Sequence, residues 1–173
     1  TRLACQITPM QDLTVTPLLP PDSSIKSSKN LPSYYDGAEQ EIAILFADIR
    51  AFTSLAEKKL PYDVVFILNQ YFKTMGKAVE NSGGKIDKFI GDGVMALFGI
   101  QKSPKEACLS ALKAARSMSE GIEDLNFHLK NDLDNPIKIG IGIHIGRVIL
   151  GDMGYAESKS ITAIGDSVNT ASR

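Results

Sequence analysis

Apolar positions along this chain change their period from one stretch to the next, and the changes mark its elements. Ile42 to Ala47 is an uninterrupted apolar run with branched residues. That is the pattern of a buried strand, and it ends at Asp48. Pro61 suits the first turn of a helix, where its missing N–H costs nothing. Val64, Val65, Leu68, Tyr71, Phe72, Met75 and Val79 then recur at helical spacing. Gly83-Gly84 ends the helix, as residues free to take positive φ commonly do. Two short apolar segments, Lys85 to Ile90 and Val94 to Phe98, flank Gly91-Asp92-Gly93. They predict a β-hairpin with Asp92 at its tip.

Ser103-Pro104-Lys105-Glu106 is a capping box that opens a long helix. Its apolar stripe is Ala107, Ala111, Leu112, Ala115, Met118, Ile122, Leu125 and Leu129. Cys108 adjoins the stripe and reads as a small core residue. Ile137 to Ile145 alternates apolar residues with glycine, and Val148 to Leu150 follows after Gly146-Arg147. These predict two further strands, and Asp166 onward begins another helix. The order implies an α+β fold with helices packed on one face of an antiparallel sheet.

The first part of the chain has a different texture. Residues 17–33 hold four prolines and five serines with no apolar period, which predicts a linker. The expected organisation is a small N-terminal piece over 1–16, a linker over 17–36 and one main domain over 37–173. A formal net charge of -1 argues against a general nucleic-acid binder. No stretch approaches the roughly 18 apolar residues that would span a bilayer. Two distant cysteines, Cys5 and Cys108, make no disulfide framework and point to a reducing compartment. The expected location is therefore cytoplasmic, with any membrane anchor lying outside this stretch.

The candidate chemistry rests on carboxylates. Asp48 ends a strand and is followed by a turn into a helix, a place where a carboxylate holds Mg²⁺ while backbone N–H groups face phosphate. Read singly, Asp48 is a helix cap and Asp92 a turn residue. If their strands are neighbours, both reach one end of the sheet and can clamp two metals roughly 3.5–4 Å apart. Lys88, Arg147, and the pair Asn169 and Arg173 at i,i+4 spacing each read singly as surface residues.

Taken together, FADIRAFT, KIDKFIGDGVMALFG, GIGIHIGRVILG and TAIGDSVNTASR resemble the class III nucleotidyl cyclases, in the right order from about Glu41 to the end. The resemblance implies that family's fold, a ferredoxin-like antiparallel sheet with helices packed on it. It implies an adenylate cyclase that turns ATP into cyclic AMP and pyrophosphate in signal transduction. Asp48, Ile49 and Asp92 would form the metal-binding set for two Mg²⁺ (or Mn²⁺), and Phe52 and Thr53 would wrap the phosphates. Arg147 would bind the triphosphate. Lys88 would select the purine with Thr162, a position that is Asp in many relatives and Thr in the bicarbonate-responsive subclass b. Asn169 would orient the ribose and Arg173 stabilise the transition state. The family's sites lie between two chains, which implies a homodimer with the aspartates and Arg147 from one protomer and the other residues from its partner.

Two departures carry expectations of their own. The family usually has Gly where Ala51 stands, which implies a tighter phosphate loop. It also continues for some tens of residues past Arg173, so the expectation is a C-terminally incomplete domain with little turnover by itself. The alternatives are a catalytically dead, nucleotide-binding regulatory module and a guanylate cyclase. A diguanylate cyclase would carry adjacent acids in its hairpin, which Ile90-Gly91-Asp92-Gly93 lacks. Finally, Thr1-Arg2-Leu3-Ala4-Cys5-Gln6, followed by DLTVTPLLPP, resembles the tail of a plant-type [2Fe–2S] ferredoxin domain. That resemblance implies Cys5 as a cluster ligand; a stray cysteine in a disordered tail is the alternative.

Overall fold

The computed structural model describes residues 37–153 and 160–173. The N-terminal piece with Cys5 and the whole of the expected linker lie outside the described residues. Five strands and four helices follow in the order β1 (Ala38–Ile49), α1 (Phe52–Ala56), α2 (Pro61–Asn81), β2 (Gly84–Ile90), β3 (Gly93–Phe98), α3 (Pro104–His128), β4 (Ile139–Met153), β5 (Ser160–Ile164) and α4 (Asp166–Ser172). The strands form one antiparallel sheet in the order β2-β3-β1-β4-β5.

The apolar run in β1 explains its central place. Ile42, Ala43, Ile44 and Leu45 are all fully buried, because both faces of the strand are covered. Ala43, Leu45, Ala47 and Ile49 face a core shared with α2 and α3. Ile42 and Ile44 face a second, smaller core with Val148, Leu150, Ala163 and Ala171. Helices therefore do not keep to one face, as the element order suggested. α4, which carries Ala171 and the half-buried Val168, covers the other side.

The capping box is formed as read. The Ser103 hydroxyl accepts from the Glu106 N–H, and the Glu106 carboxylate accepts from the Ser103 N–H. The Ser103 hydroxyl also donates to the Glu106 carboxylate at 2.7 Å, and that bond first, then the one from the Ser103 N–H, holds the carboxyl below its usual range. The helical stripes are correct in period and off in detail. In α2 Val65 is exposed and Ile67 is buried; in α3 Leu112 is exposed and Ala114 is buried. A helix 3.6 residues per turn offers two adjacent candidate stripes, and tertiary contacts select one.

The Gly146-Arg147 pair does not separate two strands, as the pattern suggested. β4 runs straight through it, pairing with β1 from Ala38↔Leu150 to Ile49↔Ile139. The glycine is there for packing, since a Cβ at Gly146 would overlap the Ser167 hydroxyl of α4. Gly142 behaves alike toward the Ala171 carbonyl oxygen. The glycines of β4 thus make the shallow bed on which α4 lies. β5, which carries Thr162, is a strand that the apolar pattern did not reveal.

Candidate active site

β1 delivers Asp48 to the end of the sheet where the β2–β3 hairpin turns. The pairing Ala47↔Val94 puts the next residue, Asp48, beside Gly93. A Cβ on Gly93 would lie 3.8 Å from the Asp48 Cβ. The hairpin closes over two residues, with Ile90 paired to Gly93 and Gly91 at φ 62°, the conformation a tight turn asks of glycine. Asp92, one residue before Gly93, therefore stands at the same end of the sheet as Asp48.

A third residue reports on the pair. Tyr71 of α2, counted from the sequence only as an apolar stripe position, is fully buried and its hydroxyl has no hydrogen-bond partner among the described residues. Burial first, then the charge of Asp48, then that of Asp92, push its phenol well above the usual tyrosine range. Both carboxylates thus act on one buried hydroxyl. Neither has an ion-pair partner among the described residues. Two adjacent, uncompensated carboxylates suit a divalent cation. No group of three acidic, His or Cys side chains gathers among the described residues. Any such cation would take its other ligands from the main chain, the substrate or water, which is how Mg²⁺ is commonly held.

Phe52 and Thr53 begin α1, whose start has no side-chain cap. Ala51, just before it, adopts φ 55° and ψ 34°. The loop therefore keeps the left-handed turn that glycine would supply; it is strained, not tightened. A non-glycine residue there costs about 1–2 kcal/mol. Ala51→Gly is expected to raise stability by about 0.5–1 kcal/mol, after allowing for the greater freedom of unfolded glycine. Urea unfolding should show a higher midpoint at unchanged slope, and a lower midpoint would contradict the strain.

Asn169 and Arg173 line a cleft of about 510 Å³ together with Asp48, Arg50, Gly93 and Gly142 of the same chain. Both side chains are exposed. Arg147 does not line this cleft. It sits within β4 opposite Glu41, and its guanidinium lies 3.8 Å from Glu39. Its backbone carbonyl accepts from Ser167 at the start of α4. Sequence reading missed Arg50, whose guanidinium lies over Gly140 and lines the cleft.

Lys88 and Thr162 meet directly, although they stand on opposite edges of the sheet. The Lys88 ammonium donates to Thr162 Oγ1 at 2.9 Å. This contact requires β2 and β5 to approach each other, so the sheet curls until its edges touch. Asp87 holds the junction. It falls at a break in the β2–β3 register between Ile86 and Lys88, a bulge that re-aims its side chain. Its side chain is wholly buried and receives the Thr162 hydroxyl proton at 2.5 Å. The sequence carried no signal for this residue, because a bulge adds an extra position that strand alternation cannot foresee.

Residues 34–173 match the family model described as the adenylate and guanylate cyclase catalytic domain. The chain is 39% identical over 138 residues to an adenylate cyclase of Anabaena cylindrica, covering 78% of this chain and 26% of that protein. It is 38% identical to the terminal-differentiation-specific adenylate cyclase of Dictyostelium discoideum, covering 80% of this chain and 6% of that one. The chain thus spans about a quarter or less of these relatives. Among solved structures, the adenylyl cyclase CyaB from P. aeruginosa superposes with a TM-score of 0.75 at 31% identity, covering 79% of this chain and 71% of that one. The guanylyl cyclase Cya2 gives 0.74 at 34% identity, covering 79% and 69%.

Proposed function

The chain belongs to the adenylate and guanylate cyclase catalytic domain family, and from that premise we propose that it converts ATP to cyclic AMP and pyrophosphate as part of intracellular signalling. The observation that carries the choice of base is the Lys88–Thr162 pair at 2.9 Å. A lysine ammonium is donor-only and complements adenine N1, an acceptor, whereas guanine presents an N–H there. Thr162 accepts from the adenine amino group. Relatives of both specificities resemble the chain, so the adenine reading rests on this pair.

In the reaction, the ribose 3′-oxygen attacks the α-phosphorus. A new P–O bond forms, the bond to the bridging oxygen breaks, and pyrophosphate leaves. Asp48, Asp92 and the main-chain carbonyl of Ile49 (the only ligand atom an isoleucine offers) would hold two Mg²⁺ or Mn²⁺, which supply charge neutralisation and an acidified 3′-hydroxyl. Backbone at Phe52 and Thr53 takes the phosphates; Arg147, seven residues along β4 from the partner of Asp48, lies too far from that end to join them. Asn169 orients the ribose, and Arg173 stabilises charge that develops only in the transition state. The sites are shared across a C₂ homodimer, with Asp48 and Asp92 from one protomer facing Lys88, Thr162, Asn169 and Arg173 from its partner.

Product analysis of the intact protein with ATP and GTP in Mg²⁺ or Mn²⁺ tests this reading. Cyclic AMP should dominate, and Lys88→Glu should lower its formation by about a hundredfold. Dominant cyclic GMP would make the protein a guanylate cyclase. No product from either nucleotide would make it a regulatory binding module.

A further inference from the structure

Asp87 has no part in the chemistry above, yet it is the most deeply placed charged side chain at the purine-reading pair. Its side chain has no solvent exposure, whereas that of Lys88 keeps 46%. One oxygen, Oδ2, accepts from the Thr162 hydroxyl at 2.5 Å and from the Ala163 N–H at 3.4 Å. The other, Oδ1, faces the Lys88 ammonium at 3.4 Å, close enough for an ion pair but making no hydrogen bond.

The proton count around Thr162 has only one solution. A threonine hydroxyl has one proton to give and two lone pairs. Lys88 can only donate, so it takes one lone pair. An ionised carboxylate can only accept, so the hydroxyl proton goes to Asp87. One lone pair is left, and no proton. We propose that Asp87 is a specificity-determining positioning residue: by consuming the Thr162 proton, it makes that hydroxyl a pure acceptor.

The consequence concerns base choice. Alone, a hydroxyl can accept from the adenine amino group or donate to the guanine carbonyl, so it separates the two poorly. Oriented by Asp87, Thr162 welcomes the adenine amino group and meets guanine O6 lone pair to lone pair. The Asp87–Thr162 couple thereby presents the acceptor that an aspartate would present directly. The inference rests on the adenine-reading role proposed for Lys88 and Thr162.

The test measures binding, without turnover, on the intact protein in Mg²⁺. 3′-Deoxy-ATP and 3′-deoxy-GTP lack the attacking hydroxyl, and their dissociation constants are read by displacement of a fluorescent nucleotide. Wild type should favour 3′-deoxy-ATP. Asp87→Ala should reduce that preference about tenfold, the scale of one hydrogen bond changed in sense. Asp87→Asn should keep the preference within about threefold, because an amide carbonyl still accepts the Thr162 proton. In a Thr162→Val background, Asp87→Ala should change the ratio by less than about twofold, since two residues acting through one contact are not additive.

An unchanged ratio in Asp87→Ala, or an equal loss with and without the Thr162 hydroxyl, overturns the inference and leaves the adenylate reading standing. If Asp87→Ala does not fold, Asp87→Asn decides: a tenfold loss there would mean that the carboxylate charge on Lys88 is what counts. A wild type with no preference for 3′-deoxy-ATP overturns the adenylate reading and this inference with it.

Discussion

Asp48→Asn should reduce cyclic nucleotide formation by the intact protein about a thousandfold, equivalent to about 4 kcal/mol of lost transition-state stabilisation. The substitution removes one of the two charges that meet beside Tyr71, and it keeps the shape of the side chain. Folding should be preserved, since Asp48 is exposed and pairs with no cation among the described residues. Far-UV circular dichroism and the melting temperature should match wild type within a few degrees. The informative version mixes two inactive proteins. Arg173→Ala should also be inactive, because it lacks the cation proposed to meet the transition state. Refolded at equal amounts, Asp48→Asn and Arg173→Ala chains should recover roughly a quarter of wild-type activity. Half of the dimers are then mixed, and each has one intact site of two. Arg173 and Asp48 line one cleft within a single chain, so the opposite result is also concrete. No recovery on mixing would place the site within one protomer and end the shared-site proposal.

Gly142→Ala is expected to lower activity about a hundredfold, without touching any group proposed to contact the substrate. The added methyl would overlap the Ala171 carbonyl oxygen, and backbone in a helix cannot step aside alone. α4 must shift, and it carries Asn169 and Arg173; a displacement near 1 Å is enough for a loss of about this size. Gly140→Ala is the control two residues away on the same strand. There the methyl would meet the guanidinium of Arg50, the far end of a flexible side chain that can swing clear. Its effect should be at least tenfold milder by the same reasoning. Equal activities for the two variants would show that α4 does not depend on the glycine bed.

Much of this site is legible in the sequence where local rules act. Asp48 ends a continuous apolar run, and Asp92 stands in a hairpin turn opened by Gly91. Ser103 and Glu106 cap α3 through bonds three residues apart. Each feature is set by the backbone preferences and burial of nearby residues, and each appears where the pattern places it. Less was legible where one residue type serves two ends. Gly146 reads as a break between two strands, yet it lies in a continuous strand because α4 needs the space above it. Ala51 reads as a departure that tightens a loop, yet it holds a left-handed conformation. Tyr71 reads as one apolar stripe residue among several, although its hydroxyl lies under the charge of both aspartates.

By itself the sequence determined the elements up to α3, the place of Asp48 and Asp92 at a strand end and a hairpin turn, and the membership of the adenylate and guanylate cyclase catalytic domain family. Those follow from local propensity, burial pattern and motif, which act over a few residues. Only the tertiary structure decided how the pair proposed to read the base is built. Lys88 and Thr162 are 74 residues apart on opposite edges of the sheet, and they meet because the sheet curls upon itself. Asp87 enters between them through a bulge that no alternation predicts. The physical reason is that a hydroxyl's role depends on which neighbours can take or give a proton, and those neighbours are chosen by the fold.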